Sequence, residues 1–163
     1  MIRILKKILY LLILFFPFIS IIGADSIPKT NAIIVNYVKT VIGKKVDRGE
    51  CWDLAKEALT LVNAKWDGEF KYGKLLNPKK DTIYPGDIIQ FKKVVVEYKS
   101  SDGLETTLQT MDQHTAIVYK INGIGDFDIA HQNTAFSGRK VGISRLVLKN
   151  IKKGKIYIYR PVI

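Results

Sequence analysis

Three side chains in this 163-residue chain have the chemistry for nucleophilic catalysis: its single cysteine, Cys51, and its two histidines, His114 and His131. A thiol attacks a carbonyl as the thiolate, so it needs a base within hydrogen-bond reach. Cys51 follows Gly49-Glu50, and Cys51, Ala55, Ala58, Leu59 and Val62 repeat at helical spacing. That pattern predicts a helix over about 51–62 with the thiol at its start. Unsatisfied N–H groups at a helix start favour an anion, so a lowered thiol pKa is expected. The free amides there, Trp52 included, are candidates for an oxyanion hole. Glu50 opposes the thiolate as a neighbouring carboxylate.

Both histidines fall in strand-like segments. His114 opens His114-Thr115-Ala116-Ile117-Val118, and His131 lies within Ile129-Ala130-His131-Gln132-Asn133. Period-two alternation places Phe127, Ile129, His131 and Asn133 on one face, with Gln132 on the other. On neighbouring strands the two rings would meet. His114 then takes the Cys51 proton, His131 fixes the His114 ring, and Asn133 orients a ring or supports an oxyanion. Cys51, His114 and His131 are also a conceivable three-ligand zinc set. The chain lacks the close ligand pair usual in such sites, so neither metal nor cofactor is expected.

The elements that must position these groups follow from pattern and punctuation. Asn31 is expected to cap a first helix over about 32–42, ended by Gly43. Residues 44–49 form a basic loop, and 68–85 a long loop carrying Tyr72, Gly73, Pro78 and Pro85. Strands are predicted over 87–98, 104–109, 115–121, 127–132, 141–148 and 155–159. Turns are expected at 101–103, at Asn122-Gly123 and at Lys153-Gly154. Helices followed by an antiparallel meander make an α+β domain and not a succession of βαβ units.

The N-terminus is set apart from that domain. Arg3, Lys6 and Lys7 precede an apolar run over 8–22, and Gly23-Ala24 end it. This reads as a signal peptide over 1–24, or else an N-terminal anchor. Either places residues 25–163, as a single domain, outside the cytoplasm: secreted, periplasmic or membrane-anchored. The formal charge is +11; the segment holds three cations and no acids, which leaves +8. A basic exported domain is drawn to polyanions such as wall polymers or membrane surfaces, although lysines that merely solvate the surface explain the charge equally well. No nucleic-acid motif is present. One cysteine excludes an intramolecular disulfide and flags a reactive thiol.

Several segments, taken together, resemble the NlpC/P60 and CHAP families of the papain-like clan. Gly49-Glu50-Cys51-Trp52 resembles their nucleophile segment. Pro85-Gly86-Asp87-Ile88-Ile89-Gln90-Phe91 resembles a strand entry of theirs. His114-Thr115-Ala116-Ile117-Val118 resembles the strand bearing the catalytic histidine, and Ile129-Ala130-His131-Gln132-Asn133 the next one. Lys155-Ile156-Tyr157-Ile158-Tyr159-Arg160-Pro161 resembles the closing strand. The resemblance implies N-terminal helices packed on an antiparallel sheet. It implies a cysteine amidase or endopeptidase acting on peptidoglycan peptides, with Cys51, His114 and His131 as catalytic residues. The expected partner is peptidoglycan or another anionic wall polymer, with weak membrane-surface association, for a protein acting as a monomer. The alternatives are a protease, transamidase or deamidase toxin of the same clan, or a non-catalytic wall-binding module. The long polar segment over 102–113 and the pair Arg139-Lys140 depart from the family pattern.

Overall fold

A computed structural model describes residues 26–99 and 104–163. The expected signal segment and the turn at 101–103 lie outside the described residues. Helices α1 (Lys29–Val41) and α2 (Asp53–Leu61) precede six strands: β1 (Lys74–Leu76), β2 (Ile88–Lys99), β3 (Thr106–Gly123), β4 (Asp126–His131), β5 (Gly142–Val147) and β6 (Ile151–Arg160). They form one antiparallel sheet in the order β1-β6-β2-β3-β4-β5. Strands β2 to β5 are the expected meander, and β6 returns to the far side of β2. The α+β architecture, helices on an antiparallel sheet, is as the pattern implied.

Alternation along the strands divides the core in two. Ile34 and Val38 of α1 and Leu54, Ala58 and Leu59 of α2 pack with Ile88, Ile117 and Ala130 on one face of the sheet. Their intervening neighbours Ile89, Phe91, Ala116, Val118 and Ile129 form a second cluster on the other face. Each large aliphatic side chain so buried contributes about 1.5–3 kcal/mol, which outweighs weak local propensity. His114 and His131 share the parity of this second face, and Gln132 that of the helix face.

The Pro85-Gly86-Asp87 turn anchors helix to sheet. Gly86 has φ +89°, and a Cβ there would come within 2.6 Å of the Asn31 carbonyl oxygen. Asn31 is therefore not a cap. Pro28 precedes the helix without a side-chain cap, and Asn31 lies inside it, fully buried. Its amide donates to the Pro85 carbonyl at 3.0 Å and to Asp87 at 2.8 Å. Asp87 also accepts from the Tyr84 N–H at 2.9 Å and from Arg160 Nε and Nη2 at 3.1 and 2.8 Å. Removing one partner of a buried ion pair strands the other, at about 3–5 kcal/mol. Urea denaturation of Asp87→Ala is expected to show a loss of that order, with Asp87→Asn losing less. A loss below about 1 kcal/mol would mean that the cluster does not hold the fold.

Several boundaries differ from the sequence expectation. The turn expected at Asn122-Gly123 lies at Ile124-Gly125, because β3 runs on through Gly123. The helix expected from Cys51 starts at Asp53, because the chain first makes a turn in which the Asp53 N–H donates to the Glu50 carbonyl. The loop expected over 68–85 contains β1, too short for a periodic signal, which pairs with β6. The separate strands expected over 104–109 and 115–121 are one strand, since β2 pairs β3 from Ile88↔Ile117 to Lys99↔Thr106. Gly154 is not a turn. It lies within β6 at φ +89°, where a Cβ would come within 2.2 Å of the Lys93 carbonyl oxygen, and the β2–β6 register shifts there.

Candidate active site

The nucleophile loop is held from three directions. Gln132 is fully buried and reaches across to it. Its Oε1 accepts from the Val46 N–H at 3.2 Å, and its Nε2 donates to the carbonyls of Val46 and Glu50 at 3.0 and 2.8 Å. Asp53 accepts from the Glu50 N–H at 3.0 Å and from Arg48 at 2.7 Å. Gly49, at φ +88°, passes so close to Arg139 that a Cβ would lie 2.7 Å from the Arg139 Cβ. Glu50 thus has both backbone groups fixed immediately before Cys51.

Cys51 is half-buried, and its thiol donates weakly to the Gln113 carbonyl at 4.0 Å. Burial raises the thiol pKa above its ordinary value, and Glu50 adds to this; the N–H groups of Thr115, Trp52 and Cys51 itself pull the other way without prevailing. The lowered pKa expected of a helix start is therefore not found. The thiol precedes the helix by two residues, and desolvation of the thiolate outweighs the amides that face it.

The two imidazoles meet as the alternation predicted. His114 Nε2 and His131 Nδ1 are 2.8 Å apart, and His131 Nε2 is 2.8 Å from Ser144 Oγ. The rings stand edge to face at 76°. Phe91, paired with His114 across β2 and β3, and Phe136 wall them in. This burial holds both rings neutral: the His114 pKa falls to about 4, and that of His131 to about 3 through burial and the neighbouring His114. The direct nitrogen-to-nitrogen bond engages His114 Nε2 and His131 Nδ1, and Ser144 engages His131 Nε2. Among the described residues no three His, Cys, Asp or Glu side chains gather into a set that could hold a metal ion.

Cys51 and His114 line one cleft of about 670 Å³, together with Tyr98, residues 107–113 and residues 133–136. Asn133 lies on that cleft, but β4 ends at His131 and Asn133 turns left-handed at φ +60°. Its amide donates to Glu50 at 2.9 Å and not to either imidazole. Arg139 pairs with the other Glu50 oxygen at 3.2 Å, which holds that carboxylate from both sides. Trp52 presents only its N–H to the sulfur. Its ring packs on Trp66, in line with Tyr72 and Tyr159, under Arg48 and Lys56. Trp66 and Tyr72 belong to the core and do not line the cleft. Sequence reasoning singled out neither Ser144 nor Gln132 for a role. Ser144 could have been found by register, since it pairs with Ile129 on the histidine face.

Residues 29–163 match the AIM3/BBC1 cysteine proteinase-fold domain. The chain belongs to that family. A curated relative, Altered inheritance of mitochondria protein 3 of Debaryomyces hansenii, is 24% identical over 79% of this chain, which spans only 15% of that protein. Among solved structures, that of Ly7917 superposes with a TM-score of 0.50 at 16% identity, covering 80% of this chain and 62% of that one. At that identity the likeness concerns the fold alone. A second structure of Ly7917, with the hydrolyzing product of MDP, gives a TM-score of 0.47. The family is thus a cysteine proteinase-fold domain by its own description, a coarser placement than NlpC/P60 or CHAP.

Proposed function

We propose that this domain is a cysteine hydrolase that cleaves an amide bond, with Cys51 as nucleophile, His114 as base and His131 as the residue that positions His114. The observation that carries this is the relay Ser144–His131–His114, which ends in the cleft that also holds the Cys51 thiol. The base's role fixes the tautomers. His114 Nε2 is engaged with His131, so Nδ1 must take the thiol proton and be unprotonated at rest. His114 then donates Nε2–H to His131 Nδ1, and His131 donates Nε2–H to Ser144.

The reaction follows from that arrangement. The thiol proton passes to His114 Nδ1 as sulfur attacks the amide carbonyl, and the N–H groups of Cys51 and Trp52 are at hand for the oxyanion. The proton moves on to the leaving nitrogen, the C–N bond breaks, and a thioester remains. Water then loses a proton to His114 and attacks the thioester, and the thiol is restored. Because the resting pair is a neutral thiol and a neutral imidazole, proton transfer accompanies attack.

The motif resemblance and the basic charge support peptidoglycan peptides as substrate. A second reading, a protease acting on polypeptide chains, is favoured by the open edge of β3 beside the thiol. The full chain is to be incubated in parallel with purified peptidoglycan and with unfolded polypeptide, and the fragments weighed by mass spectrometry. New amine and carboxyl termini are expected from at least one of them, and none with Cys51→Ala. Cleavage that persists in Cys51→Ala, or none of either substrate by a protein whose thiol is intact, would overturn the hydrolase assignment.

A further inference from the structure

A cluster of positive charge lies outside the cleft. Lys92, Lys93, Lys153 and Lys155, with Gly154 and Tyr157, line a cavity of about 300 Å³ between β2 and β6. Lys92 and Lys155 are direct cross-strand partners, and Val95 pairs with Lys153. Between these two pairs β2 advances three residues and β6 only two. That is a bulge, taken up by Lys93 at φ +51° and Gly154 at φ +89°. Phe91, Val94 and Val96 stay in the buried cluster on the other face, and Tyr157 packs against the helix-face core. Lys92, Lys153 and Lys155 are therefore left together on the face that carries the helices.

Within the fold this arrangement is unfavourable. Like charges directly opposite on adjacent strands repel. A left-handed backbone is strained at a residue other than glycine, and such strain gathers at functional sites. All four lysines are exposed, and none forms an ion pair among the described residues. The acids of β2, β3 and β6 are Glu97 and Asp112, and both are placed elsewhere. Glu97 is held by Lys152 at 3.2 Å, and Asp112 lines the catalytic cleft. Four positive charges thus share one hollow, and among the described residues no acid lines it.

We propose that this hollow binds a flexible phosphate polymer, a chain of phosphodiester or phosphoanhydride units, which anchors the domain and is not its substrate. Ammonium groups meet phosphates as point charges with rotatable donors. Neutralising successive phosphates also releases their counterions, which drives binding. Other polyanionic surfaces fit the hollow less well. None of the strongly exposed apolar side chains lines it, as a bilayer contact requires. Tyr157, its aromatic residue, is half-buried against the core and offers no platform for bases. The hollow shares no lining residue with the cleft, although Lys92 pairs with Gln113 of the cleft wall. A polymer bound there holds the domain one strand away from the thiol and leaves the thiol free. The proposal concerns binding alone and does not depend on the hydrolase assignment.

Isothermal titration calorimetry of the full chain with inorganic polyphosphate tests this without any turnover. The double variant Lys92→Gln/Lys155→Gln is expected to bind about 10- to 100-fold more weakly, the scale of two charge-assisted contacts. The dependence of log Kd on log[salt] should become shallower by roughly 1.4, two contacts at ~0.7 each. Lys79→Gln/Lys80→Gln removes the same charge from an exposed loop at another cavity and should bind as the wild type does. Loss of the repelling pair does not harm the fold, so unliganded Lys92→Gln/Lys155→Gln should melt no lower than wild type. Polyphosphate should raise the melting temperature most in the proteins that keep the pair. Equal loss of affinity in the two double variants would assign binding to overall charge and overturn the site, as would a wild type that does not bind. Inorganic phosphate bound as tightly as the chain would make this a site for a free anion. Preference for phosphatidylglycerol vesicles or single-stranded DNA over polyphosphate would give the surface to a bilayer or to nucleic acid. Each of these three outcomes overturns the proposal.

Discussion

Cys51→Ala is expected to lose all measurable turnover, and His114→Ala nearly all, about 10²–10⁴-fold, the usual worth of general base assistance. His131 acts only through His114. His131→Gln keeps a hydrogen-bonding group beside Nε2 and should retain measurable activity, whereas His131→Ala should fall between it and His114→Ala. The pH profile separates positioning from mere support of the fold. Because burial holds His114 at about 4, the base accepts protons down to acidic pH, and the acid limb of kcat/KM should lie near that value. In His131→Gln the hydrogen-bond partner of His114 Nε2 changes from a ring nitrogen to an amide, and the limb should move, even where the fold is intact. Single-turnover rates for the four proteins across pH 3–9 decide the matter. If His131→Ala is as dead as Cys51→Ala while His114→Ala still turns over, the base is His131.

The same buried pair should make the fold sensitive to acid. Both histidines have pKa values in the folded protein, about 4 and about 3, below the ~6.5 of an unfolded histidine. Above pH 6.5 both states are neutral and the pair has no effect on the balance. As pH falls through 6.5 the unfolded chain gains protons that the folded chain refuses, so stability falls, and it goes on falling until the folded pKa values are reached. For His114 alone the loss between pH 6.5 and 4 is about 3 kcal/mol. Urea denaturation at pH 7, 6, 5 and 4 should show a slope near ~2.7 kcal/mol per pH unit from two protons in the middle of that window, halved in His131→Gln. The difference between the two proteins isolates the histidine from any carboxylate that titrates nearby. Identical slopes in the two would mean that His131 is solvated in the folded state.

Much of this site was legible before the fold was known, and the reason is periodicity. A residue's face in a strand depends only on parity, so the meeting of His114 and His131 needed only that β3 and β4 be neighbours. The same parity sent Gln132 the other way, correctly, but nothing in the sequence said that its amide would meet residues 46–50, which lie 86 positions from it at Val46. Parity failed at Asn133 because the strand had already ended. The long strand β3 escaped notice because its first half is polar and, Met111 apart, largely exposed, and so lacks the apolar alternation that marks a half-buried strand. The thiol's titration was misjudged for a different reason: helix-start electrostatics can be read from spacing, but the desolvation that outweighs them depends on what is folded over the sulfur.

The end of β4 holds adjacent residues with different duties. His131 fixes the ring of the base, and Gln132, one step along, fixes the loop that carries the nucleophile. A single peptide unit therefore keys the two halves of the reaction to one another. Drift of the helices relative to the sheet would be resisted at that point, so the reacting atoms keep their mutual spacing while more distant parts breathe. Insertions and deletions are tolerable in connections that leave that joint, the strands and the Asp87 cluster alone. The connections between β2 and β3 and between α2 and β1 are such places. Variation in this family should therefore collect there, and a one-residue insertion between β4 and the Gln132 clamp should be as harmful as loss of the thiol itself.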